Sequence, residues 1–272
     1  LPESDAPYRS VVQAMRYGVL GAGKRVRAIL LLEFCRACGG SWELAMPFAC
    51  AIEMVHAYSL IHDDLPCMDN DPLRRGKPSC WKAFGETAAL LAGDGLLTAA
   101  FQMLTARRDL LSPEQMAEGV DCLSRAAGPS GMVGGQVLDM AGEGRSLSLS
   151  ELELLQSLKT GALISAAAEL GCIAAGGSPE QRRAVARYAQ KLGRAFQIRD
   201  DLLDVVGDEA TFGKPIGSDK EEGKVTFVDL LGVDGCDAAV RAATKRAENA
   251  VAALDADSFL SALAGSLAER KQ

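Results

Sequence analysis

Six carboxylates gathered in two clusters carry most of the chemistry written into this chain. They are Asp63, Asp64 and Asp69 in DDLPCMD, and Asp200, Asp201 and Asp204 in DDLLD. In MVHAYSLIHDDLPCMDND an apolar helical pattern runs straight into the adjacent pair, so a helix carries Asp63 and Asp64 at its end and Pro66 then disturbs the turn. Two residues more than in a plain DDxxD separate Asp64 from Asp69, and a local bulge would return the third carboxylate to the same mouth. In FQIRDDLLDVVGD the spacing of Gln197, Asp200 and Asp204 predicts one shared helical face. Like charges so placed repel, and an acidic helix C-terminus opposes its own macrodipole. A divalent cation removes both penalties, and Mg²⁺ held by hard oxygens shared with substrate phosphates is the usual solution. One such cluster alone reads as a solvated helix end. Two of them, each followed by a basic loop containing Gly and Pro, point to a magnesium-dependent enzyme acting on a diphosphate ester.

The basic loops supply Arg74 and Arg75 in PLRRGKPS, Lys214 in FGKPIGSDK and Lys224 in EEGKVT. Near the N-terminus, GAGKRVRA adds Lys24, Arg25 and Arg27. It is no P-loop, since the GxxxxGK[ST] spacing is absent and no strand precedes it. By itself this run reads as a solvated turn. Guanidinium forks and lysine point charges are also what a second diphosphate, bound without metal, requires.

The elements that must position these residues are helical. The 272-residue chain is rich in Ala, Leu and Gly and poor in aromatic and β-branched residues, and its apolar residues recur mainly at helical spacing. The pattern predicts an all-α bundle of about ten helices, read as a single domain over 1–272 because no linker, repeat or composition shift divides it. Boundaries are marked by Gly39-Gly40, Ser112-Pro113, the run at 128–131 and that at 176–179. Ser112 and Ser178 each precede PEQ and are predicted N-caps. Longer irregular stretches are predicted only at 71–79 and 207–224. A net charge of −7 excludes a broad nucleic-acid face. The eight cysteines are scattered through apolar stretches, so Cys35 and Cys38 are read as packed helix positions rather than a redox or zinc motif. No uninterrupted apolar run reaches the roughly 18 residues of a membrane span, and no signal core opens the chain, which predicts a soluble cytoplasmic protein. Leu1 is no natural start, which leaves room for a short leader ahead of it.

Six blocks in order along almost the whole chain resemble the trans-isoprenyl diphosphate synthases. They are GKRVR at 23–27, HAYSLIHDDLPCMDNDPLRRGKPS at 56–79, GMVGGQVLDM at 131–140, LKTGALI at 158–164, FQIRDDLLD at 196–204 and FGKPIGSDKEEGKVT at 212–226. The insertion in DDLPCMD is similar to the bacterial farnesyl and plant geranylgeranyl groups. Ala28, where Pro commonly stands, and Pro72, where an acidic residue does, are departures that remove no proposed ligand. The resemblance implies an isoprenoid-synthase bundle around a central cavity and a homodimer. It implies that Asp63 and Asp69, with Asp64 nearby, hold two Mg²⁺ and that Asp200, with Asp201 and Asp204 nearby, holds a third, Mn²⁺ being an alternative. Arg74, Lys159, Lys214 and Lys224 would complete the cage of an allylic diphosphate. Lys24, Arg25, His56 and Arg75 would hold isopentenyl diphosphate. Thr160 and Gln197 would face the reacting carbons, and His62 is read as a packing residue. Ionisation of the allylic ester, attack by the isopentenyl double bond and loss of a proton to the expelled diphosphate would follow.

Product length depends on what closes the cavity a turn before Asp63. Helix geometry places Ser59 on the face of Asp63 and rotates Tyr58 away, which leaves the floor open between them. The resemblance favours Tyr58, an aromatic five residues before the first Asp, and a C15 product, farnesyl diphosphate, with C20 as the alternative. A terpene cyclase would need no second diphosphate site, and a non-catalytic partner subunit would lack carboxylates that are whole here.

Overall fold

The computed structural model describes residues 1, 5–206 and 223–270. Lys214, and most of the stretch expected to be irregular at 207–224, lie outside them. Helices α1 (Arg9–Leu20), α2 (Val26–Ala37) and α3 (Trp42–Asp63) come first. An antiparallel hairpin of β1 (Leu73–Arg74) and β2 (Lys77–Pro78) follows, then α4 (Cys80–Phe84), α5 (Glu86–Leu104), α6 (Pro113–Ala127), α7 (Met132–Gly142) and α8 (Leu149–Gln156). One π-helical turn, Ser157–Gly161, joins α8 to α9 (Ala162–Ala174), and α10 (Pro179–Val206), α11 (Phe227–Val251) and α12 (Phe259–Glu269) complete the order. The all-α expectation holds. The small hairpin is the exception, in a stretch expected to be irregular: Arg75 (φ 54°) and Gly76 (φ 73°) form its turn, the pair of positive φ angles that a two-residue connection of this twist requires.

Helix starts follow side-chain chemistry. Ser112 accepts from the Gln115 N–H at 3.2 Å while the Gln115 side chain accepts from the Ser112 N–H at 2.8 Å. Ser178 with Gln181 repeats this box, and Thr226 with Asp229 starts α11 in the same way. Each cap satisfies backbone donors that the first turn cannot, worth about 1 kcal/mol.

Helices α3 and α9 are apolar on nearly all sides, and such helices must be buried. Helix α3 packs against α5, α2 and α9, and α10 packs against α11 and α9. Phe34, Phe48, Ile52, Leu96, Leu104 and Tyr188 are fully buried in the main core, each large side chain contributing about 1.5–3 kcal/mol. A smaller core of Leu152, Ile198, Leu202, Phe227, Cys236 and Val240 ties α8, α10 and α11 together. Helices α3 and α5 are long and apolar enough to cross a bilayer by length and composition, although charged residues interrupt the apolar run of each. Burial among neighbouring helices accounts for α3. Helix α5 leaves Leu90 and Leu91 exposed at 46% and 47%.

Two glycines set the distances that the site needs. A Cβ at Gly93 on α5 would strike the His62 ring, which lies against this helix with Nε2 3.0 Å from the Leu90 carbonyl. Helix α7 approaches the π turn at Gly135, where a Cβ would collide with the Lys159 N–H nitrogen and stand 2.7 Å from the Leu158 carbonyl carbon. Those neighbours are backbone and cannot swing aside. Gly135→Ala is expected to lower stability by about 1–3 kcal/mol, read from chemical denaturation, and to reduce turnover by displacing Lys159. A variant as stable as the wild type would refute this account of the contact.

Candidate active site

Helix α3 ends at Asp63, and the chain then folds back on itself. Leu65 N–H donates to the His62 carbonyl, Met68 N–H to Leu65, and Asp69 N–H to the Asp63 carbonyl at 2.9 Å. The bulge therefore sets Asp69 beside Asp63. Burial pushes the Asp63 carboxyl up to about 6; Lys159 and Arg74 oppose the shift, and Asp69 and Asp64 add to it. Asp64 does not join this pair. Consecutive helical residues point about 100° apart, and Asp64 is turned inward, 2% exposed, onto the Arg74 guanidinium. Arg74 Nε lies 2.9 Å from Asp64 Oδ1, and Arg74 Nη2 also reaches Asp71 at 3.2 Å. Asp64 and Arg74 are thus bonded to each other beside the site.

The second cluster divides similarly. Asp200 lies 2.5 Å from Arg270, whose guanidinium stacks over the Phe196 ring at 3.9 Å and donates to the Phe196 carbonyl. Burial still raises the Asp200 pKa despite Arg270 and Lys24. Asp201 is buried and accepts from the Phe227 N–H at 2.7 Å, at the first residue of α11, and from Gln197 Nε2 at 2.9 Å. Asp204 is buried. The face predicted from spacing thus differs from the bonded one: Gln197 pairs with Asp201, a full i, i+4 step away, and its amide oxygen accepts from Thr160 Oγ1 at 3.1 Å. Among the described residues, no three His, Cys, Asp or Glu side chains close on one point that could hold a metal ion.

Two cavities of nearly equal size adjoin. One, about 520 Å³, has apolar walls that include Leu65, Met68, Met132, Val137, Met140 and Leu163, with Asp63 and Lys159 also lining it. Tyr58 and Ser59 both line it. Tyr58 is 7% exposed with its ring edge-on to His62 at 5.7 Å, so the rotation expected from ideal helix geometry does not remove it. The other cavity, about 530 Å³, is basic and is lined by Lys24, Arg25, Arg27, Arg75, His56, Gln197 and Asp200 among others. Arg27, His56 and Thr160 belong to both.

Within the basic cavity the arginines have separate tasks. Arg25 (φ 51°) is spent on the fold: its guanidinium reaches Glu53 at 3.0 Å and the Val19 and Gly21 carbonyls at 2.6 Å. Arg75 donates to the Ala22 carbonyl. Arg27 Nε is buried with no hydrogen-bond partner, and burial brings this guanidinium's pKa down to about 10, which leaves it charged at neutral pH. Spacing alone does not separate Arg25, expected to hold isopentenyl diphosphate, from Arg27. Asp139 was also missed. It lies inside GMVGGQVLDM, on α7, and holds Lys159 Nζ at 2.5 Å with Lys224 Nζ at 3.8 Å. A carboxylate in an otherwise apolar helix was the signal that could have found it. Nothing in the sequence joined Arg270 to Asp200.

A family model described as polyprenyl synthetase matches residues 9–258. The chain belongs to the polyprenyl synthetase family. It is 50% identical over 224 residues to a farnesyl diphosphate synthase of Geobacillus stearothermophilus, covering 82% of this chain and 75% of that one. It is 41% identical to the large subunit 1 of a chloroplastic heterodimeric geranylgeranyl pyrophosphate synthase of Arabidopsis thaliana, covering 99% and 75%. Among solved structures, an FPP/GFPP synthase from Zymomonas mobilis superposes with a TM-score of 0.85 at 37% identity, over 99% of this chain and 90% of that one. In this polyprenyl synthetase the two cavities occupy one bundle, and the expected isoprenoid-synthase fold holds.

His56 is the titrating group between the cavities. Burial, then Arg27, Arg75, Arg25 and Arg74, hold its pKa well below the usual histidine value, so it is neutral at pH 7. An imidazole beside these guanidiniums is a poor proton acceptor and serves better as a hydrogen-bonding group. The unfolded chain takes up a proton near pH 6.5 and the folded chain only at lower pH, so stability held above that value is lost as pH falls through and below it. Asp63, its carboxyl raised to about 6, adds stability over the same fall in pH. Thermal melts from pH 7.5 to 5 should therefore show the His56 loss as a difference: His56→Gln should lose less stability on acidification than the wild type. An unchanged slope would remove His56 as its source.

Proposed function

We propose that this chain condenses isopentenyl diphosphate with allylic diphosphates to give farnesyl diphosphate, with Mg²⁺ as cofactor. The prenyltransferase activity itself follows from family membership and from relatives called farnesyl diphosphate synthases at 45–50% identity. The observation that carries the assignment of roles is the pairing of the two cavities: an apolar one with Asp63 and Lys159 in its wall adjoins a basic one at Thr160 and His56. An allylic tail fits the first, and a second anion without need of metal fits the second.

Asp63 and Asp69 suit a hard divalent cation, because burial and like charge leave Asp63 short of positive charge. Asp200 would hold a further ion, in place of its bond to Arg270. Since no three such ligands converge among the described residues, most of each ion's shell would come from diphosphate oxygens and water. Bound Mg²⁺ supplies charge that stabilises the departing diphosphate. Lys159, fixed by Asp139, adds a donor at the same mouth, while Arg27, Arg75 and Lys24 orient the isopentenyl diphosphate. Thr160, bonded to Gln197, faces both cavities and is placed to steady the developing allylic cation. The expelled diphosphate takes the proton. Tyr58 is proposed as the floor that stops elongation at C15. Exposed apolar residues of α5 such as Leu91 support a homodimer.

Incubation with isopentenyl diphosphate and geranyl diphosphate, followed by chromatography, should yield a C15 product. Release of diphosphate from farnesyl diphosphate alone would instead favour a cyclase. Tyr58→Ala should shift the product to C20 or longer, and an unchanged length would sink the floor assignment. Arg27→Met should raise KM for isopentenyl diphosphate roughly 10- to 100-fold, the value of about one charged hydrogen bond, with little change for the allylic substrate. Equal losses for both substrates would contradict this division of the cavities. Asp200→Ala should leave folding intact and lower turnover by orders of magnitude.

A further inference from the structure

Helices α2 and α9 both begin at the reaction site, where Val26, Arg27, Thr160 and Ile164 line the basic cavity. Their other ends meet about 18 Å away, taking 1.5 Å of rise per residue from Val26 to Cys38. There the thiol of Cys38 donates to the sulfur of Cys172 at 3.5 Å. Cys38 caps the C-terminus of α2 and is half-buried, whereas Cys172 is fully buried within α9.

The surroundings are shaped to this pair. Glycine occupies the position where a side chain would crowd the buried sulfur: a Cβ at Gly177 would strike Cys172 Sγ. Gly39, next to Cys38, has φ +92°, so the chain beyond Cys38 is held by a residue that can readjust. Cys35 is engaged elsewhere, donating to the Ser41 carbonyl at 3.3 Å. Arg182, bonded to the Gly177 carbonyl and to Glu118, places a positive charge near Cys172. That charge and the Cys38 hydrogen bond both favour a thiolate at Cys172.

We propose that Cys38 and Cys172 form a reversible disulfide that staples the far ends of α2 and α9 when the protein meets a hydroperoxide. One thiolate attacks the peroxide, the O–O bond breaks, and a sulfenic acid and hydroxide result. The neighbouring thiol then attacks that sulfur, the S–S bond forms and the hydroxyl leaves as water. In sum, two thiols and one hydrogen peroxide give one disulfide and two waters. The sulfurs must close by about 1.5 Å to reach bonding distance, a step that rotation of the half-buried Cys38 side chain supplies. The bridge closes a long loop in the unfolded chain, so it stabilises the fold, and it does so without touching a residue that lines either cavity.

The test treats the reduced full chain with hydrogen peroxide and maps its peptides by mass spectrometry without reduction. The expected result is a Cys38–Cys172 cross-link two hydrogens lighter than the free thiols, a loss of two titratable thiols, a melting temperature higher by several degrees, and reversal by dithiothreitol. Cys38→Ser, a conservative change at a half-buried position, should abolish both the cross-link and the shift while keeping turnover and the reduced melting temperature. Cys35→Ser should leave the cross-link in place. Oxidation confined to the exposed Cys67, a bridge through Cys35, or a Cys38–Cys172 bridge that fails to raise the melting temperature would each overturn the proposal.

Discussion

The rest of the site is arranged around charge that the protein does not fully neutralise. Asp63 and Asp69 are brought together by a backbone bulge at the end of a buried helix, and the burial that holds them also makes their ionised forms costly. Across Thr160, Arg27 and Arg75 stand with His56 in the wall of the basic cavity, and nearby guanidiniums with burial hold that imidazole neutral. In an unliganded bundle each group repels itself. A diphosphate with a divalent cation would relieve the first, and a diphosphate alone the second, so the same imbalance that weakens the empty fold favours its substrates.

Such a site needs rigid support, and the apolar helices provide it. Helices α3 and α9 are enclosed by neighbours, and the small core around Phe227 fixes α10 against α8 and α11. Several charged residues near the site are bonded into the fold. Arg25 ties the α1–α2 loop to Glu53, Asp64 holds Arg74 and through it the hairpin, and Asp201 receives the first N–H of α11. Residues of one motif are thus divided between chemistry and support, and the division follows which way each side chain leaves its helix.

The π turn at Ser157–Gly161 shows how local geometry becomes function. It lies between two α-helices, sets Lys159 on Asp139 and Thr160 on Gln197, and is reached by α7 because position 135 carries no side chain. Turns of this type are frequent at functional sites.

The sequence by itself determined the helical class, the caps at Ser112 and Ser178, the two acidic clusters and their basic loops, and the family. Each of these depends on residue type and short-range spacing, which fix periodicity, capping chemistry and local charge. Tertiary structure alone decided which members of each cluster are bonded by the protein's own groups: Asp64 is turned onto Arg74 and Arg25 onto Glu53, while Asp63 and Arg27 stand in cavity walls and Tyr58 stays in the wall beside Ser59. Asp139 on Lys159 and Arg270 on Asp200 join residues 20 and 70 positions apart. Such contacts depend on how whole helices pack, which no local spacing encodes.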